Sequence, residues 1–208
     1  MFLQKTFCFR TLMNLAVENL QLTLAIIKPH VIKVPYALQD IRDKILAKGF
    51  YVVRNKRVHL SEAQVEEFYA EHKEKFFYHR LITFMQSGPC DVYVLARKNA
   101  IQEWRKLMGP TKVYQAQYTH PDSIRGCYGL SDTRNASHGS DSPEAALKEI
   151  SFFFMDIDIG KWFAEDEPLY KAGSVAFNTE EFIHTVKNEK PSCNNNYCLT
   201  SYLPPMRE

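Results

Sequence analysis

The 208-residue chain sets 26 Lys and Arg against 24 Asp and Glu, a formal charge of +2, and is 45% hydrophobic. This suits one sizeable globular core; it provides no basic excess to draw nucleic acid or a membrane surface, so any anion site must be local. Five scattered cysteines, at 8, 90, 127, 193 and 198, do not space like a disulfide-rich secreted scaffold and favour a reducing compartment.

The first twenty residues carry Lys5 and Arg10, no acid before Glu18, and a mixture of Phe, Leu and hydroxyl side chains. They read as a short mitochondrial presequence, with an ordinary N-terminus and a cytoplasmic location as the alternative. No run of about 18 apolar residues follows, so nothing is expected to span a bilayer. "LQLTLAIIK", 20 to 28, is a near-continuous apolar run and predicts a central strand covered on both faces. Leu38, Ile41, Ile45 and Leu46 then recur at helical spacing, between Pro35 and a capping Gly49. A second strand is expected over 50 to 60, and Ser61 with Gln64 forms a capping-box pattern for a helix through Val65, Phe68 and Tyr69. A helix to Gly88, a strand over 90 to 97 and a helix over 99 to 109 with Asn99 as its cap come next. A long loop is expected from there to about Gly129.

Ser142 and Pro143 open a further helix, "PEAALKEISFFF", and "SVAF" at 174 to 177 is a candidate strand to complete the sheet. The alternation predicts an α+β fold, a ferredoxin-like split β-α-β sandwich with an antiparallel sheet and helices on one face. The expected organisation is a possible targeting segment over 1 to 20, a domain over 21 to 186, and a C-terminal tail over 187 to 208 without a core of its own. Cys193 and Cys198 lie too far apart for a tight metal-binding pair, and only His184 stands near, so no protein metal ligand is assigned.

The chemistry-bearing stretch is "RNASHGSDS", 134 to 142. Together with "TLAIIKP", "FMQSGP", "WRKLMGPT" and "DSIRG", in that family's order, it resembles the nucleoside diphosphate kinase family, in its divergent group II branch, from about Thr23 to Phe154. The resemblance implies transfer of a γ-phosphoryl group from a nucleoside triphosphate to a nucleoside diphosphate through a phosphohistidine. His138 is then the nucleophile, Glu149 orients it and Ser140 assists. It also implies that Lys28, Arg105, Thr111 and Arg125 hold phosphates, that Asn135 lies near the sugar, that Phe76 stacks on the base and that Tyr69 supports the lysine and histidine. Mg²⁺ would arrive bound to the nucleotide's phosphates.

The residue types make sense without the family. Phosphoryl transfer needs a placed nucleophile, cations for spreading negative charge and a platform for the base, and a neutral imidazole near neutrality is a competent nucleophile. Arginine forks match phosphate oxygens, and a lysine ending a buried strand is costly unless it meets an anion. No P-loop or glycine-rich kinase loop occurs, so side chains must hold the phosphates. Taken singly, Glu149 also reads as a solvated helix-face carboxylate, Arg105 as an outer helix face, Arg125 as a turn residue and Tyr69 as part of an apolar stripe.

"KPH" stands where the family has "KPD", the Tyr69 to Phe76 stretch is slightly short, and Thr111 to Arg125 is a few residues long. The last departure leaves the assembly open between hexamer, monomer and a complex with a different protein. A nucleotide-binding interaction protein with weak or partner-dependent activity is the second functional reading; specific nucleic-acid binding finds no basic stripe to support it.

Overall fold

The structure, a computed structural model, describes residues 19–187. The targeting expectation therefore lies almost wholly outside the described residues, as does the tail from 188 onward. Among the described residues, no helix is long and apolar enough to cross a membrane.

Strand β1 (Gln21–Ile27) leads through a short helix α1 (Pro29–Ile32) and α2 (Pro35–Ala47) to β2 (Tyr51–Val58). Helices α3 (Glu62–Phe68) and α4 (Tyr78–Gln86) precede β3 (Cys90–Arg97), and α5 (Ala100–Met108) follows it. Next come α6 (Val113–Thr119), α7 (Ile124–Tyr128), β4 (Ser137–Gly139) and α8 (Pro143–Phe153). A π-helical turn, Trp162–Asp166, feeds α9 (Glu167–Lys171), and a hairpin of β5 (Val175–Asn178) and β6 (Ile183–Val186) closes the described chain. The main sheet runs β2-β3-β1-β4, antiparallel at each pairing. β3 thus sits between β1 and β2, which is the split β-α-β arrangement expected.

β1 is interior because it can bury both faces. Leu22, Leu24 and Ile26 join one apolar cluster with Val65, Met85, Ile150 and Phe153, while Ala25 and Ile27 join another with Ile41, Ile45, Trp104 and Ile124. Helices therefore cover both faces of the sheet and not one, which corrects the single-layer expectation. The same alternation carries the first row onward from Ile26 to Lys28, so a cation ends an apolar stripe.

Three of the expected caps hold in detail. Ser61 and Gln64 form a reciprocal capping box, and Ser142 accepts from the Ala145 N–H at the start of α8. Gly49 has φ +71°, and bonds from Gly49 N–H to Leu46 O and from Phe50 N–H to Ile45 O stop α2. Asn99 differs: it lies at φ 53° and its side chain makes no cap. The expected loop after α5 contains α6 and α7, whose first N–H groups are met by Asp132 and Ser123 side chains. "SVAF" does not complete the main sheet; it pairs with β6 in a separate hairpin, and β4 takes the fourth place.

That hairpin lies along β2, the outer strand of the sheet. The Val52 N–H, at a break in the β2–β3 register, donates to His184 Nδ1 at 3.0 Å. Asn55 Nδ2 donates to the Glu181 and Phe182 carbonyls, and Tyr51 packs edge-on between Tyr170 and His184. An edge strand left open invites pairing with another chain, and the hairpin covers it.

Burial lowers the pKa of His184 below its ordinary 6.5. The Val52 bond needs a bare Nδ1, so protonation opposes docking. Because the docked value is the lower one, the contribution is full above about pH 6.5 and is lost as pH falls through the docked value. Amide-exchange protection in 175–186, taken relative to the intrinsic rate at each pH, should fall on acidification, more than in β1, and a His184→Gln chain should lose that pH dependence.

Candidate functional site

His138 hangs from the middle of a three-residue strand. β4 pairs with β1 in the register Ile26↔His138, so the imidazole shares a face with Ile26 and Lys28. Just before it Ala136 has φ 67°, and the Ser137 N–H bonds back to Asn135 O at 2.8 Å. This is a γ-turn of the strained hand, and the Lys28 N–H holds its Ala136 carbonyl at 2.9 Å. Behind the strand, Trp104 donates from Nε1 to the His138 carbonyl at 3.1 Å.

The imidazole is oriented by a carboxylate. Nε2 lies 3.0 Å from Glu149 Oε1, and the other carboxylate oxygen accepts from Ser140 Oγ at 2.7 Å. An ionised carboxylate only accepts, so Nε2 carries the proton and Nδ1 keeps its lone pair. Ser140 is held in turn by the Leu24 N–H at 3.2 Å. The Phe68 and Tyr69 rings stand edge-on to the imidazole at 5.2 and 6.0 Å. The Tyr69 hydroxyl is buried without a partner, and burial raises its pKa. It remains a neutral phenol.

Lys28 is buried, and its ammonium meets only neutral acceptors, Asn135 Oδ1 at 2.7 Å and Thr133 O at 3.2 Å. Burial, with Arg125 nearby, lowers its pKa to about 7. His30 gives it no counter-charge. Burial lowers the pKa of His30 below its ordinary value, against the bond of its Nε2 to the Tyr128 carbonyl at 3.1 Å. Its ring packs 5.4 Å from Phe84, leaving Nδ1 buried and unpaired.

Arg125 extends this positive region. Its guanidinium donates to the Gly109 carbonyl at 2.8 Å, to Ser137 O at 3.3 Å and to Thr111 Oγ1 at 3.4 Å. Burial, then the like charge of Arg105, lowers its pKa to about 10. Asn135 Nδ2 reaches the Thr111 carbonyl at 3.4 Å. Arg105, Thr111 and Arg125 open together onto a cleft of about 280 Å³.

Nine of the ten sequence candidates thus fall into one connected region: His138, Ser140 and Glu149 by hydrogen bonds, Tyr69 by ring contact, Lys28, Asn135, Thr111 and Arg125 by bonds, and Arg105 through the cleft. Phe76 stands outside it, 87% exposed, edge-on to Phe77, with Arg80 5.6 Å over its ring. An aromatic relay leads from Phe76 through Phe77 and His72 to Tyr69. His72 was not singled out from the sequence, although it lies three residues after Tyr69, one turn further on. Trp104 was also missed, because a buried tryptophan on an apolar stripe looks like core.

The sequence model described as "Nucleoside diphosphate kinase" matches residues 21–159. Nucleoside diphosphate kinase 6 of Danio rerio is 48% identical over 172 residues, 83% of this chain and 98% of that one. Its Homo sapiens counterpart is 47% identical over 169 residues, 81% of this chain and 91% of that one. Among solved structures, the Aquifex aeolicus nucleoside diphosphate kinase superposes with a TM-score of 0.62 at 38% identity, over 65% of this chain and 95% of that one. The Halobacterium salinarum enzyme, solved in complex with CDP, gives 0.60 at 32%, over 69% and 97%.

Gly139 fixes the seat of His138 from behind. A Cβ there would fall 2.3 Å from Trp104 Cδ1 and 2.5 Å from its Nε1, and Trp104 is fully buried. Gly139→Ala is expected to cost about 1–3 kcal/mol in urea unfolding through overpacking and to shift the His138 ring resonances. An unchanged midpoint and spectrum would contradict this packing.

Proposed function

Because the chain belongs to the nucleoside diphosphate kinase family, we propose that it moves the γ-phosphoryl group of a nucleoside triphosphate to a nucleoside diphosphate by way of His138. The observation that carries the reading is the hydrogen bond from His138 Nε2 to Glu149, which leaves Nδ1 with a free lone pair, on a strand whose neighbouring Ser137 and Ala136 carbonyls accept from the Arg125 guanidinium and the Lys28 N–H.

In the first half-reaction the Nδ1 lone pair forms a bond to the γ-phosphorus. The bond from that phosphorus to the β–γ bridging oxygen breaks, and the nucleoside diphosphate leaves with the electron pair. Glu149 stabilises the ring as it gains positive character, and Ser140 keeps the carboxylate turned toward Nε2. In the second half-reaction a terminal oxygen of another nucleoside diphosphate attacks the phosphohistidine, and the Nδ1 electron pair returns to the ring. Lys28, Arg125 and Arg105 stabilise negative charge where it spreads over the transferring group. Phe76, with its exposed ring, offers a stacking face that any base accepts.

The polar side chains opening on the cleft are two arginines, a lysine, a hydroxyl and one imidazole, with no carboxylate, which suit phosphate oxygens better than a divalent cation. Among the described residues no group of three or more His, Cys, Asp or Glu is placed to hold a metal. Mg²⁺ therefore fits the site as a partner of the nucleotide's own phosphates, where it would neutralise part of their charge.

Incubation with γ-labelled ATP should leave acid-labile label on the chain, and His138→Ala should abolish it. Equal labelling of that variant would overturn the reading. Glu149→Ala should lower the labelling rate about 10–100-fold, as for loss of other groups that orient a reacting histidine.

A second expectation follows from Lys28. Near pH 8 its amine is largely neutral in the free site, since its pKa lies at about 7; a polyphosphate favours the charged form and raises that value. Binding of a nucleoside triphosphate should then take up protons, seen as a buffer-dependent enthalpy in calorimetry. Lys28→Met should weaken binding and remove the uptake.

A further inference from the structure

The cleft is lined not only by Arg105, Thr111 and Arg125 but also by Lys106 and His120, and no carboxylate lines it. We infer that Lys106 and His120 are further phosphate-binding residues, which extend the cradle outward so that the chain grips the polyphosphate of its nucleotide from two walls.

The cleft is built for an anion. Arg125 is 7% exposed, and while its terminal nitrogens are occupied by Gly109, Ser137 and Thr111, its Nε is buried with no partner. Arg105 adds a like charge close by. A buried donor left without an acceptor, next to a second cation, is costly until an anion arrives. At about 280 Å³ the space falls just under the usual range for small-molecule pockets, about 300–1,000 Å³. It suits a phosphate chain rather than a whole nucleotide.

Lys106 follows Arg105 in the last turn of α5. The helix dipole favours a cation there, which would by itself explain one of the two. His120 comes from a different element, at the end of α6; its Nδ1 lies 2.7 Å from Thr119 Oγ1, so Nε2 is the nitrogen offered to a ligand. Its backbone is pinned: the His120 N–H bonds to Ala116 O at 2.8 Å, and its carbonyl accepts from Ser123 N–H at 3.0 Å and Ser123 Oγ at 2.7 Å. Gly126 packs so closely on that carbonyl that a Cβ there would lie 2.4 Å away. The segment after Thr111 folds into α6 and brings a histidine to the same cleft as Lys106.

The inference rests on reading the cleft as the place where phosphates lie, but it can fail by itself. Binding of inorganic tripolyphosphate to the full chain is the direct probe, with ATP and CTP measured alongside. The Lys106→Ala, His120→Ala double variant should lose about tenfold in affinity for all three ligands, the scale of one shielded charge-assisted hydrogen bond. The loss should be alike for the two bases, and Lys106→Arg should keep most of the affinity. Equal tripolyphosphate affinity in parent and double variant would overturn the inference, and so would a loss confined to one base. Labelling of His138 reports separately: its absence in the parent sinks the phosphotransfer reading while leaving the tripolyphosphate result to stand on its own.

Discussion

The pairing of β4 with β1 is the constraint on which the site depends. Only three residues of β4 join the sheet, yet this short ladder determines where His138 stands, which way it faces and how near it comes to Lys28. The strained Ala136 turn, of a kind that costs about 1–3 kcal/mol, is held by the Lys28 N–H. One backbone bond thus ties the lysine to the loop that presents the histidine. Trp104 and Gly139 secure the other side of the strand, so the imidazole rests on the sheet and not on a free loop.

From this placement comes a division of charge. Glu149 is spent on His138 and Ser140, while the positive groups across the site meet only backbone carbonyls, an amide and a hydroxyl. His30 sharpens the imbalance, being an imidazole with lowered pKa where an acid would have neutralised Lys28. A pocket that withholds acids from its own cations is unstable alone and well matched to an anionic ligand. The overall charge of +2 says nothing of this, because the asymmetry is local.

The segments beyond the shared family core act on its borders. The stretch between Thr111 and Arg125 contributes His120 to the cleft, and the chain after 159, beyond the residues that the family model matches, covers the outer strand of the sheet. There Glu167 is buried and accepts from the Leu20 N–H at 2.8 Å, while the Tyr170 hydroxyl donates to His184 O at 2.6 Å. These contacts bind the hairpin region to the beginning and the edge of the sheet.

Much of this was legible in one dimension. β1 follows from unbroken apolarity, α2 from helical spacing between Pro35 and Gly49, and the starts of α3 and α8 from their caps, because each of these signals acts within a few residues. The histidine motif and its family resemblance picked out the candidate groups for the same reason: they lie in short blocks. What the sequence could not disclose depends on partners far along the chain. β4 is too brief to show alternation; α6 and α7, with seven and five residues, are too short to hold without packing; and "SVAF" has the composition of a strand but nothing to say which strand it will join. Sequence by itself determined the fold class, the family and the identity of the chemical groups. Tertiary structure alone decided which nitrogen of His138 is free, which cations lack a counter-charge and where His120 returns, since each of these is set by a contact made across the folded chain.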